Sequence, residues 1–439
     1  MIATLSSPRP MRTRLRRIPA APVALLVCAG CRAAIGASPR TPDARESCRI
    51  ELLGEQMLRD RAGRYYVVEP QAVASNGREV FVAGSPSIEL SSIGDSWRMA
   101  EPDTVFGAIV APGKPAQIVP SPAGVSDTVD GATAVAHPDG SWSVIFMETD
   151  SAVFLGREAG VRHIRYGRYG PSGWGPLETL PFPSGFERPH YYLAGPPILA
   201  GDSLVWAVTV NAKEGFTRGL LFVRFQGRWS VEVIPTSTVV YAVPGWLPTT
   251  GLLLAVIRPD STEESDANSL FIFARRPVWK QIQRVMRGNL TLAHHPRWVA
   301  TRAGLTLGWR VIPRVGPMAA ITGAVDASGI VTPRDTITGI RSLSASFTST
   351  GGSAGTWLTR HAAESGDSIR ITRVDGRGRS RSAAFALPEH VELTRLALIT
   401  GRTRDELLMF GHRKASSPGE PGVASIFVHA RLRCARPRR

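Results

Sequence analysis

A unit of about 50 residues returns along this 439-residue chain and constrains its fold more than any other feature. It is clearest at Gly201–Pro235 (GDSLVWAVTVNAKEGFTRGLLFVRFQGRWSVEVIP). There an apolar strand ends in Trp206 and a polar loop follows. A second apolar strand covers Leu220–Phe225, Gln226 and Gly227 make a tight turn, and a third strand opens with Trp229. Two positions carry the pattern. One is a large apolar residue in the second strand of a unit (Trp206, Trp309, Trp357, Phe410); the other is an aromatic just past the turn that opens the fourth strand (Trp174, Trp229, Trp279). Glycine before that aromatic suits hairpins whose central residues take positive φ.

Seven such units can be marked. The first spans 70–122 with a strand at Arg78–Gly84, and the second runs from Asp130 past Trp174. The third is the stretch above. The fourth holds Gly251–Arg258, Ser269–Ala274 and Trp279, and the fifth holds Gly304–Val311 and a turn at Asp326–Gly329. The sixth holds AGTWLTR, SIRITRV and an Asp375–Gly376 turn; the seventh holds RLALIT, ELLMFG and ASIFVHA. The apolar runs are too continuous for one-sided sheets and lack helical periodicity, as expected of small sheets packed against neighbours on both faces. The expectation is an all-β, seven-bladed β-propeller, with six blades as the alternative. The last unit offers three strands, so Cys48–Gly54 (CRIELLG) is expected to supply its outer strand. In an antiparallel pair that places Cys48 beside Cys434, and a Cys48–Cys434 disulfide would close the ring.

The first 30 residues read as a signal peptide: Arg12, Arg14, Arg16 and Arg17, then the apolar run Ile18–Val27. Ala29-Gly30-Cys31 resembles a bacterial lipobox, which implies lipidation at Cys31, although Cys28 stands where leucine is usual; plain secretion is the alternative. Residues 31–47 read as a flexible tether, 48–434 as a single domain, and 435–439 as a basic tail. The expected location is the bacterial cell envelope, anchored to the membrane by the N-terminal lipid, or else secreted or periplasmic. The formal charge is +16, but the arginines are scattered and no nucleic-acid-binding module is recognisable, so nucleic acid is not an expected partner. A monomer is expected.

The turn-then-Trp element (Gly227-Arg228-Trp229, Gly173-Trp174) resembles the BNR or Asp-box repeat of sialidase-like propellers. The Ser-x-Asp half of that repeat is missing here, with Asp326/Gly329 and Asp375/Gly376 as partial echoes. The resemblance implies a ligand face built by loops entering the innermost strands. On those loops the sequence places Asp127, Asp130, Glu187, Arg188, His190, Tyr191, Tyr192, His294, His295, Arg297, Arg341, Glu389, His390 and Glu392. A sialidase-like site would use Arg188, Arg297 and Arg341 on a carboxylate, Tyr191 or Tyr192 with a carboxylate such as Glu187 as nucleophile pair, and an aspartate such as Asp130 as acid. His190, Tyr192, His294, His295, His390 and Glu392 are the ligand-face candidates. No metal centre or cofactor is expected; the acidic loop with Asp260, Glu263, Glu264 and Asp266 is at most a calcium candidate, lacking the alternate-residue ligands and Gly turn of such sites. The expected function is a binding or scaffolding module for a glycan, a peptide or an envelope protein. The alternative is a sialidase-like glycan-active enzyme, hydrolase or lyase.

Overall fold

The computed structural model describes residues 48–58, 68–86, 106–125, 128–149, 161–183, 186, 193–211, 217–236, 238–259, 268–286, 290–301, 304–313, 318–340, 356–361, 368–374, 380–386, 391–398, 406–414 and 423–434. Among them every regular element is a strand, and the strands form seven antiparallel sheets in chain order. The first five occupy residues 68–119, 128–179, 193–233, 241–286 and 290–340. A three-stranded sheet follows at 356–386, and a closing sheet joins Val391–Leu398, Glu406–Lys414 and Val423–Cys434 to Cys48–Met57. Six of the seven are complete, with at least four strands. No described helix is long and apolar enough to cross a membrane.

First strands pack on first strands. Val68–Ser75 lies against both Thr128–Ala136 and Val391–Leu398. Tyr241–Leu247 lies against Leu290–Thr301 on one side and, on the other, against the first strands Leu193–Ala194 and Ile198–Ala200 together with the second strand Ser203–Asn211. The ring thus closes where the first sheet meets the last, and the molecule is a β-propeller. The N-terminal strand completes the closing sheet as the sequence suggested. Cys48–Met57 pairs antiparallel with Val423–Cys434, and Cys48 and Cys434 are register partners.

The core follows from this arrangement. Each hydrophobic cluster spans two neighbouring sheets rather than the two faces of one. Phe81 of the first sheet packs with Trp142 and Phe146 of the second. Ile145 and Tyr166 of the second pack with Trp206 and Phe222 of the third. Leu253 and Ile272 of the fourth pack with Leu307 and Trp309 of the fifth. Val80 and Val110 of the first pack with Leu408, Phe410 and Phe427 of the closing sheet. Strands covered on both faces must be apolar on both, which explains runs such as Leu252–Ile257, buried at every position.

Three details differ from the sequence reading. The strand holding Trp206 does not end there but runs on to Asn211, because Val208 and Val210 continue the buried face. His294, His295 and Arg297 lie within a twelve-residue strand, Leu290–Thr301, not on a loop. The strand accommodates Pro296 through a register shift between His294 and Arg297, where no ladder donor is required. Asp130 and Glu392 likewise sit in strands, opposite Met147 and His412. The Gln226–Gly227 turn is as expected: both residues take positive φ, 47° and 78°, the combination that matches strand twist in a two-residue hairpin.

Candidate functional site

Of the residues assigned to the ligand face, Asp127, Glu187, Arg188, His190, Tyr191, Tyr192, Arg341, Glu389 and His390 lie outside the described residues, as do Asp260, Glu263, Glu264, Asp266 and Cys31. For Asp130, His294, His295 and Glu392 the backbone alone is described. His294 pairs in register with Arg310, one strand outward. Arg297 is placed in full: its guanidinium donates to the Tyr241 hydroxyl at 3.1 Å. That contact joins the first strands of the fifth and fourth sheets. No group of three His, Cys, Asp or Glu side chains stands together as a metal would require among the described residues.

The tryptophans past the turns prove to be donors across sheet boundaries. Trp229 Nε1 donates to Glu178 Oε2 at 2.8 Å, and Trp279 Nε1 to Glu232 Oε1 at 3.0 Å. In both cases the carboxylate sits on the outer strand of the preceding sheet. The register partner of each Trp is an arginine, Arg224 or Arg275, and it grips the same carboxylate. Arg224 reaches Glu178 with Nε at 3.1 Å and Nη2 at 2.6 Å; Arg275 reaches Glu232 at 3.4 Å. These hydrogen bonds raise the Arg224 pKa above its ordinary value. Trp174 makes the simpler version, donating to the Pro120 carbonyl at 2.7 Å. The sequence held a signal for this device: each acceptor lies about one repeat upstream of its Trp, 51 and 47 residues away.

Beneath Arg224 lies a short polar chain. Its guanidinium stacks over the Tyr166 ring, 4.8 Å from the centroid. The buried Ser143 hydroxyl links Tyr166 OH (3.1 Å) to His137 Nε2 (2.6 Å). Burial lowers the His137 pKa, and the positive charges of Arg168 and Arg224 push the same way, outweighing Asp139. Ser143 is sealed, so this chain fastens the second sheet and offers no nucleophile to solvent.

Among the described residues an open cleft lies elsewhere, at the seam between the first and closing sheets. A cleft of about 1460 Å³ separates them. The turns of the first sheet bring Arg78 and Glu79, then Lys114, to one wall. The closing sheet brings Glu55, His429 and Arg431 to the other, with Leu408 and Phe427 at the floor. Among the described residues no ion pair joins Glu55, Arg78, Glu79 or Lys114 to any partner. Gln56 spans the seam: oriented to satisfy both groups, its amide donates to the Lys114 carbonyl at 3.0 Å and accepts from the Ala116 N–H. Gly54, at a register shift in the N-terminal strand, and Gly113 leave space: a Cβ on either would meet nothing within 4 Å. None of these residues was singled out in the sequence, because the cleft is assembled from opposite ends of the chain.

No protein-family model matches this chain, and no curated protein does. Solved structures do. A Dyadobacter fermentans protein of unknown function shares 11% identity over 88% of this chain and 99% of its own, with a TM-score of 0.47. A Trypanosoma rangeli sialidase in complex with sialic acid shares 8% over 89% of this chain and 59% of its own, with a TM-score of 0.45. A subtype N11 neuraminidase-like protein from a flat-faced bat shares 10% over 90% of this chain and 95% of its own, with a TM-score of 0.41.

Proposed function

We propose that this chain is an exported binding module of the cell envelope whose partner sits in the cleft at the ring seam. One observation carries the reading: a cleft of about 1460 Å³ whose lining charges Glu55, Arg78, Glu79 and Lys114 have no ionic partner among the described residues. Elsewhere the same chain pairs such groups, as at Glu178 and Glu232. Unpaired charges lining a concave surface are what recognition of a polar partner uses. The basic and apolar N-terminal segment and Cys31 support export with a lipid anchor. The Cys48–Cys434 register supports a disulfide that fastens the N-terminal strand into the closing sheet.

The test uses Gly54→Trp, which places a bulky side chain in the cleft lining at a position where a Cβ meets no protein atom within 4 Å. Immobilised full chain is exposed to an array of envelope glycans and synthetic peptides. Wild-type retention that disappears in the variant is the expected result. Equal retention by both proteins would remove the cleft from the reading.

A further inference from the structure

We infer that the occupant of the seam cleft is an extended polypeptide segment carrying side chains of both charges around an apolar one. The inference rests on the cleft being the binding site and narrows its partner. Three features of the cleft lead there.

Size is the first. Pockets for compact small molecules run about 300–1,000 Å³, and this cleft, at about 1460 Å³, exceeds that range. A polymer segment fills such a space; a single sugar ring leaves most of it to water.

Charge is the second. Arg78, Glu79 and Lys114 come from the first sheet, and Glu55 and Arg431 from the closing sheet, so each side of the cleft contributes both a carboxylate and a cation. A polyanion would pair with the cations but press its own charge against Glu55 and Glu79. A neutral glycan would strip water from these charged groups without supplying a counter-charge, which costs free energy. A peptide of mixed sign gives a carboxylate to Arg78 and Lys114 and a cation to Glu55 and Glu79. Complementarity of both signs also excludes partners of one sign.

The floor is the third. Leu408, Phe427 and Val110 are nearly buried and apolar, and they line the base between the charged walls. An apolar side chain between two charged ones would reach them. Gly54 and Gly113 keep the walls free of side chains at two points, so a main chain can come close. Gly113 needs its glycine because its φ is 68°; Gly54 is outside the positive-φ region and tolerates replacement.

The experiment measures fluorescence anisotropy of labelled peptides on the full chain. The probes are a Lys-Val-Glu-Ser repeat, the single-sign repeats Lys-Val-Lys-Ser and Glu-Val-Glu-Ser, dextran and dextran sulfate. The mixed repeat should bind at least about tenfold more tightly than either single-sign repeat, and Gly54→Trp should abolish that binding. Paired reversal, Arg78→Glu with Lys114→Glu, should shift preference toward the Lys-only repeat, and it serves as the second variant should Gly54→Trp lower the melting temperature. Tighter binding of a dextran or a single-sign peptide, lost in Gly54→Trp, overturns the mixed-charge peptide while leaving the cleft as the site. Binding that neither variant alters, or no binding to any probe, overturns both.

Discussion

At the boundary between the second and third sheets, one carboxylate receives two N–H groups of Arg224 and the indole N–H of Trp229. At the seam between the first and closing sheets, Glu55, Arg78, Glu79 and Lys114 line a cleft together with Arg431, and among the described residues none of those four has an ionic partner. The two boundaries join small antiparallel sheets of four or five strands and have apolar interiors of the same kind. They differ at the outer strand. The third and fourth sheets open their outer strands with Trp229 and Trp279, and each Trp reaches one sheet back. The first sheet has Gln117–Val119 there, a three-residue strand without an aromatic, and Gln56 bridges to its turn from the other side. An indole N–H bonded to a half-buried carboxylate is directional and short, so it sets the separation of two sheets. Where that device is missing, the sheets can part, and the seam is where the chain has to be closed by other means.

Loss of the proposed covalent closure should therefore have the largest effect. Cys48→Ser, compared with wild type under oxidising conditions, should destabilise the protein by about 4 kcal/mol, since the bond would close nearly the whole chain. Denaturant unfolding with and without reductant measures this. If the wild type loses nothing on reduction, the N-terminal strand is held in the closing sheet by pairing alone, and ring closure needs no covalent bond.

A smaller loss should follow at the polar boundary. Glu178→Ala leaves the Arg224 guanidinium and the Trp229 N–H without their acceptor, at a cost of about 2 kcal/mol. The side chains of Glu178 and Arg224 are 33% and 25% exposed, which keeps the figure below that of a fully buried pair. Glu232→Ala should cost about 1 kcal/mol, because Arg275 is 42% exposed and stands farther away at 3.4 Å. Calorimetric melting of both variants ranks them. Equal losses, or none at Glu178, would mean that the apolar interior sets the sheet separation and the Trp donors are incidental.

Much of the fold was legible in the sequence. The spacing of Trp206 and Trp309 marks the second strands, and both side chains are buried. The strand at Cys48 could be placed because the last unit lacked one. Strand extent was harder to read: the His-His-Pro run in Leu290–Thr301 has the composition of a loop, and only a register shift lets it stay in the sheet. The tryptophans past the turns were visible, but their acceptors were not. Which carboxylate meets an indole depends on how one sheet is rotated against the next, and no local pattern encodes that. The cleft was the least legible. Its walls come from residues near 55, 78, 114 and 429, each unremarkable in its own segment, and only ring closure brings them together.

The mildest test concerns pH and separates the two boundaries without breaking either. His137, at the base of the chain that runs through Ser143 to Tyr166 under Arg224, has a pKa lowered from 6.5, first by burial and then by Arg168. In the unfolded chain it takes up a proton near 6.5, while in the folded protein it resists doing so. The unfolded state therefore binds more protons in the window below 6.5, and stability falls as pH descends through that window to the lowered folded value. Below both values this residue adds no further slope. Asp139 acts separately and lower: its carboxyl is held below 3.8, chiefly by hydrogen bonds from Ser141, so its stabilisation is present above 3.8 and is lost only as pH falls through its folded value. His137→Gln keeps a polar partner for Ser143 and removes the titration. Unfolding midpoints on either side of 6.5 should move less in the variant than in the wild type, while binding at the seam cleft keeps the same pH dependence in both. An unchanged slope in His137→Gln would show that the proton is taken up elsewhere, and a change in cleft binding would show that the two boundaries are coupled through the ring.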